Sequence, residues 1–169
     1  TVVDDRGDTL PTGRAGELVI SGPTVTPGYY DDPEATARAF GSYGLHTGDI
    51  GHFDDSGRLW VRNRKDERII TGGQNVDPGE VAAVLRAFDG VRDAVVLGLP
   101  DGEWGERVAA LVEPEPGATP DPNAIERHCR ERLASYKLPR QVVFGTIPRT
   151  ESGTAERVTV RELLRDAGV

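Results

Sequence analysis

The 169 residues contain no methionine, so the chain has no initiator and reads as a fragment or a trimmed piece of something longer. Its single cysteine, Cys129, excludes an internal disulfide and any multi-cysteine zinc site, as suits a cytoplasmic protein. No apolar run nears the roughly 20 residues that a membrane-spanning helix needs. The N-terminal Thr1-Val2-Val3-Asp4-Asp5 lacks the basic and then apolar stretches of a secretion signal. Lysine is almost missing: Lys65 and Lys137 stand beside eighteen arginines among 20 basic residues. Against 28 acidic residues this leaves a net charge of −8, which argues against nonspecific nucleic-acid binding. Acid excess with scarce lysine fits a salt-adapted source and a coding bias toward Arg and Asp equally well.

The length suffices for one ordinary domain or two small ones, and 37% hydrophobic residues allow a packed but modest core. The first third reads as short strands and turns. Glu17-Leu18-Val19-Ile20 is a strand between Gly16 and Gly22. Gly51 to Val61 is a hairpin turning at Asp54-Asp55-Ser56-Gly57. Asp32-Pro33-Glu34 opens a short helix toward Phe40. Arg64-Lys65-Asp66-Glu67, four charges in a row, is the most linker-like spot in the middle of the chain.

Beyond it, Arg68 to Thr71 is a short strand before a Gly72-Gly73 turn. Asp77-Pro78-Gly79-Glu80 starts a helix, with a capping acid, Pro at the first position and Glu at the third. That helix is expected to run to about Phe88 and bury Val81, Val84, Leu85 and Phe88. Val91 to Leu99 and Arg107 to Glu113 read as sheet strands. Ile125, Cys129 and Leu133 recur at four-residue spacing on one helix face. Thr159-Val160-Arg161-Glu162 is expected to cap a last short helix. Strands and helices mix without regular alternation, so the second part is a small α+β domain.

Seven short motifs occur in order: Gly16-Glu17-Leu18, Gly28-Tyr29-Tyr30, His46-Thr47-Gly48-Asp49, Gly57-Arg58-Leu59, Arg64-Lys65-Asp66, Gly72-Gly73-Gln74-Asn75 and Pro78-Gly79-Glu80. Each is weak alone. Together they resemble the adenylate-forming enzymes, which comprise acyl-CoA ligases, adenylation domains of peptide synthetases and luciferases. The resemblance covers nearly the whole chain. It implies a two-step chemistry: a carboxylate attacks the α-phosphate of ATP to give acyl-AMP and pyrophosphate, and the CoA thiol then displaces AMP. It also implies a β-rich tail of a large N-terminal domain over residues 1–65, then a small mobile α+β domain over 66–169.

Residue by residue, the resemblance implies that Asp49 holds the ribose hydroxyls of the nucleotide. A carboxylate suits that task because it accepts from two vicinal hydroxyls at once. Arg64 would make a second ribose contact, and Asp66 would be the hinge, where a solvated charge run is what a moving loop end needs. Gly72 and Gly73 would form the loop that approaches the pantetheine chain, although a plain hairpin turn fits them too. Trp104 would pack against the CoA adenine, with Tyr136 and Arg140 near the CoA nucleotide, where an arginine can pair with phosphate. For these three a purely structural role stays open.

One position departs from the family. Pro148-Arg149-Thr150-Glu151-Ser152-Gly153-Thr154 follows the family's pattern but places Thr154 where the catalytic adenylation lysine belongs. Threonine carries no charge and cannot bridge carboxylate and phosphate. Three explanations are open: another cation (Arg157 or Arg149) substitutes, the position was engineered, or the first half-reaction is lost.

The implied ligands are a carboxylic acid, ATP (AMP) and CoA. Mg2+ would be bound by the missing upstream domain, through which a homodimer would also form; no metal site belongs to this chain. Overall similarity points to an o-succinylbenzoate–CoA ligase of menaquinone synthesis. The alternatives are a medium- or long-chain fatty acyl-CoA ligase, a peptide-synthetase adenylation domain, and a degenerate nucleotide- or CoA-binding module. Lacking the phosphate loop and acyl pocket, the chain alone is expected to be inactive.

Overall fold

The computed structural model describes residues 1–168, the side chain of Asn63 excepted. The chain divides into two compact units, Thr1–Asp66 and a second beginning at Glu67. Among the described residues no helix is long and apolar enough to cross a membrane. Both units are described separately below, and the chain is α+β, as expected.

The first unit holds strands β1 (Val2–Val3), β2 (Gly16–Ile20), β3 (Phe40–Gly41), β4 (Gly44–Phe53) and β5 (Leu59–Arg64) in one antiparallel sheet. Their order is β1-β2-β4-β3, with β5 also paired to β4. Helix α1 (Pro33–Ala39) starts as its sequence dictates: the Asp32 carboxylate accepts from the Ala35 N–H, and Pro33 occupies the first turn. It buries nothing. The β4–β5 turn is organised by Asp54, which accepts the Ser56 and Arg58 N–H groups at 2.9 Å each and the Trp60 indole N–H at 2.8 Å. The Trp60 bond, followed by these backbone bonds, holds that carboxyl below its usual range.

The second unit is organised around a long antiparallel hairpin, β8 (Val91–Asp101) and β9 (Gly105–Pro114). On its other side β9 pairs with β10 (Gln141–Phe144), in parallel, and through Thr71 with β6 (Ile69–Thr71). Strand β6 in turn pairs with β7 (Gln74–Val76). The near-continuous apolar runs of β8 and β9 are explained by burial on both sheet faces. Even-numbered Ala94, Val96, Val108, Ala110 and Val112 pack with Val81, Ala82 and Leu85 of α2 (Pro78–Arg86) and Ile125 and Cys129 of α3 (Pro122–Arg130). Odd-numbered Val95, Leu97, Leu99, Ala109 and Leu111 pack with Ile147 and with Val160 and Leu164 of α4 (Arg157–Asp166). The period of two along a strand thus sorts one sequence run into two cores.

Several boundaries differ from the sequence-based expectation. Helix α2 ends at Arg86, and its buried set is Pro78, Val81, Ala82 and Leu85. Val84 and Phe88 are only partly buried at the edge of that core. Leu133 is buried but lies past the end of α3, brought inward by the turn that follows. Helix α4 begins two residues before Thr159, with Glu156 at its cap position and no side-chain cap. The Thr159 hydroxyl instead donates to the Glu156 carboxylate at 3.0 Å.

Candidate functional site

In the first unit, Asp49 and Arg64 are directly opposite each other on β4 and β5. The Arg64 guanidinium lies 3.5 Å from the Asp49 carboxylate and 3.4 Å from that of Asp66, so one fork spans both acids. Gly48 makes room for it. Gly48 has φ +73, and a Cβ there would come 3.1 Å from the guanidinium. The Thr47 hydroxyl donates to the Leu18 carbonyl at 2.9 Å and accepts the Asp49 N–H at 3.0 Å, which fixes the backbone leading into Asp49 within β4. The Asp49 side chain is 36% exposed and that of Asp66 75%, so both carboxylates keep lone pairs for an incoming donor. Structure therefore brings Asp49, Arg64 and Asp66 together as one cluster.

Beside it lies a cluster the sequence did not flag. Glu17 is buried although charged. It accepts from Lys65 Nζ at 2.9 Å and lies 3.2 Å from His46 Nδ1. Burial alone would raise its carboxyl, but the hydrogen bonds from Lys65 and His46 outweigh that and hold it below its usual range. The Lys65 ammonium is correspondingly raised by its bond to Glu17. Lys65 also reaches Asp5 at 3.5 Å. The chain entering the second unit is thus tied down one residue before Asp66. No local signal marks it, because Lys65 and His46 reach Glu17 from other segments of the chain.

In the second unit, Gly72 and Gly73 form the β6–β7 turn, with φ of +54 and +74. The Gly72 N–H donates to the Trp104 carbonyl at 2.9 Å, and a Cβ on Gly72 would collide with the indole at 2.7 Å. Trp104 sits in the β8–β9 turn, whose shape is set by Asp101 accepting the Glu103 and Trp104 N–H groups at 3.0 and 3.1 Å. Those bonds, from Trp104 first, hold the Asp101 carboxyl below its usual range. The Arg140 guanidinium lies over the Trp104 ring, 4.2 Å from its centroid. Gly72, Trp104 and Arg140 therefore meet at one place.

Tyr136 lies in a single 3-10 turn, Ser135–Lys137, that contacts β7, the second strand of the glycine hairpin. Its ring is partly exposed and carries the Lys137 ammonium 5.8 Å from its centroid. Lys137 is also paired with both Glu80 carboxylate oxygens at 2.7 Å.

Thr154 is exposed at the end of a tight loop. Its carbonyl accepts the Thr150 N–H at 2.8 Å, and its hydroxyl is 3.4 Å from that of Ser152. Neither neighbouring cation is idle. Arg149 is paired with Asp93 and donates to the Gly153 carbonyl at 3.0 Å, stapling the loop to β8. Arg157 is 3.1 Å from the Glu67 carboxylate and donates to the Val96 carbonyl at 3.3 Å. Among the described residues no cluster of His, Cys, Asp and Glu could hold a metal ion.

One unit thus offers a carboxylate–guanidinium pair suited to vicinal hydroxyls, and the other a glycine turn beside an arginine-covered indole suited to a planar, anionic ligand. Comparison with known proteins points to a family. The family described as the AMP-binding enzyme C-terminal domain matches residues 80–154. The 2-succinylbenzoate–CoA ligase of Geobacillus kaustophilus is 45% identical over 153 residues, covering 90% of this chain and 31% of that protein. A long-chain-fatty-acid–CoA ligase of Mycobacterium tuberculosis is 40% identical over 165 residues, covering 96% and 33%. The ATP-bound structure of MatB from Rhodopseudomonas palustris matches with a TM-score of 0.91 at 35% identity, over 98% of this chain and 34% of that one. The chain belongs to the adenylate-forming enzyme family, as its C-terminal part, and spans about a third of the length of these relatives.

Proposed function

We propose that the whole protein is an ATP-dependent acid–CoA ligase, and that this chain supplies its ribose-holding pair, its hinge and its CoA-facing surface. The observation that carries this is the in-register Asp49–Arg64 pair, half-open to solvent and next to Gly48, whose φ of +73 L side chains rarely adopt. Asp49 would accept from both ribose hydroxyls, with Arg64 holding the carboxylate in place and adding a donor. Asp66 would be the hinge. Its side chain is exposed, Lys65 before it is anchored to Glu17, and the first compact unit ends with it. Backbone change would then be confined to residues after the anchor.

Gly72 and Gly73 would pass the pantetheine arm, with Trp104, Arg140 and Tyr136 meeting the CoA nucleotide. Succinylbenzoate is the favoured acid, supported by the 45% identity to the Geobacillus enzyme. A long-chain fatty acid is the alternative, supported by the 40% relative. When bound, ATP would supply the adenylyl group that activates the carboxylate, with pyrophosphate as the leaving group.

A second reading, a ligase whose first half-reaction is weak or lost, is favoured by Thr154 together with the engaged state of Arg149 and Arg157. Neither arginine can bridge carboxylate and phosphate without leaving its acid partner. The test uses the full-length enzyme, following acyl-AMP formation and thioester formation from preformed acyl-AMP separately. Thr154→Lys is expected to speed the first step by about 10²-fold, the worth of one preorganised charge at a transition state, and to leave the second unchanged. No gain in the first step would mean that another group already supplies the charge. No thioester from preformed acyl-AMP would sink the ligase reading.

A further inference from the structure

The Trp104 ring, the best stacking surface in the second unit, is already covered. The Arg140 guanidinium lies 4.2 Å from its centroid, and the Gly72 backbone closes against the Cε3–Cζ3 side of the six-membered ring. Arg140 itself is exposed and, among the described residues, has no carboxylate within ion-pair distance. The acid whose charge it senses, Asp101, is engaged by two backbone N–H groups and lies 4.0 Å from Arg107 instead. Arg149, Arg157 and Lys137 in the same unit are all paired with acids. Arg140 thus stands on the indole with no carboxylate in direct contact, Asp101 acting on it only through space, and is held by a contact weak enough at an exposed site to be exchanged.

We infer that Arg140 is an exchangeable cover on Trp104, which gives up the ring to a planar base only when that base brings an anion for the guanidinium to pair with. This rests on the proposed CoA-facing role of the site and adds to it a specificity device. A bare nucleoside must displace Arg140 and leaves it nothing in return. A nucleotide bearing a phosphate beyond the ribose offers stacking to Trp104 and a bidentate partner to Arg140 in one event. Arg140 is therefore a source of discrimination with opposite signs for the two ligands. It opposes the base and rewards the phosphate.

The test uses the 169-residue chain and two probes, adenosine and adenosine 3′,5′-bisphosphate. Binding is read from the Trp104 indole N–H resonance, distinguished from that of Trp60 by its loss in Trp104→Phe. The unmodified chain is expected to bind the bisphosphate at least tenfold more tightly than adenosine. Arg140→Ala is expected to tighten adenosine about threefold and weaken the bisphosphate about tenfold. Arg140→Lys keeps the charge but not the flat fork, and is expected to fall between. Equal weakening of both probes by Arg140→Ala, or weaker adenosine binding, overturns the exchange while leaving the site in place. If neither probe moves the Trp104 signal in any variant, the CoA-facing reading falls and the exchange with it.

Discussion

The two units fold by different means. The second buries twenty-two hydrophobic residues among those described, in two cores on opposite faces of one hairpin. The first buries five, Val2, Val3, Leu18, Val19 and Ile50, and exposes Tyr29, Tyr30, Leu59, Trp60 and Val61. A sheet with one thin apolar face recovers little of the conformational entropy lost on ordering. Beside so small a core, the first unit's directed polar contacts stand out: the Asp54 turn, the Thr47 bridge and the Glu17 cluster. The lesson is that the Asp49–Arg64 pair, proposed to hold the ribose, is carried by the part of the chain with the smaller core.

The largest expected effect breaks the chain at that boundary. Residues 67–169 alone are expected to melt cooperatively with near-native helix content by circular dichroism, whereas residues 1–66 alone show no cooperative transition. A sharp transition in the short piece would overturn the contrast.

A smaller effect sharpens it. Glu17→Gln is expected to destabilise the first unit by about 1–2 kcal/mol in urea titrations of the whole chain, less than a fully buried pair because Lys65 is 41% exposed. The pH dependence has a definite sign. The Glu17 carboxyl titrates below its ordinary 4.5 when folded, so its contribution is present above that value and is lost as pH falls through the native-state value. Glu17→Gln should flatten this acid limb in the first unit and leave the second unit's unchanged.

Much of the second unit was legible because its signals are local. Asp77-Pro78-Gly79-Glu80 writes a helix start, and the Val–Ala–Leu runs of β8 and β9 could hardly be anything but buried strand. Strand β10 escaped notice because four residues after Pro139 carry no readable period, and their pairing is to a strand some thirty residues earlier. The start of α4 was misplaced because Glu156 makes no side-chain cap, leaving Thr159 the more tempting signal.

At the site, family motifs named Asp49, Arg64, Asp66, Gly72, Gly73, Trp104, Tyr136 and Arg140. They did not disclose that Arg64 spans two acids or that Arg140 lies on Trp104. Those are contacts between separate segments, set by register and turn shape. Glu17 was visible as part of a motif, but its burial became apparent only once Lys65 and His46 were placed around it.

The most direct check on the ribose assignment compares ATP with 2′-deoxy-ATP in the full-length enzyme, with and without Asp49→Ala. The intact enzyme is expected to prefer ATP by about 10- to 100-fold in kcat/KM, the worth of a hydrogen bond to a charged acceptor. Asp49→Ala should lower activity with ATP and abolish the preference. A preference that survives Asp49→Ala unchanged would contradict the assignment of Asp49 to the ribose and leave the pair with Arg64 a structural one.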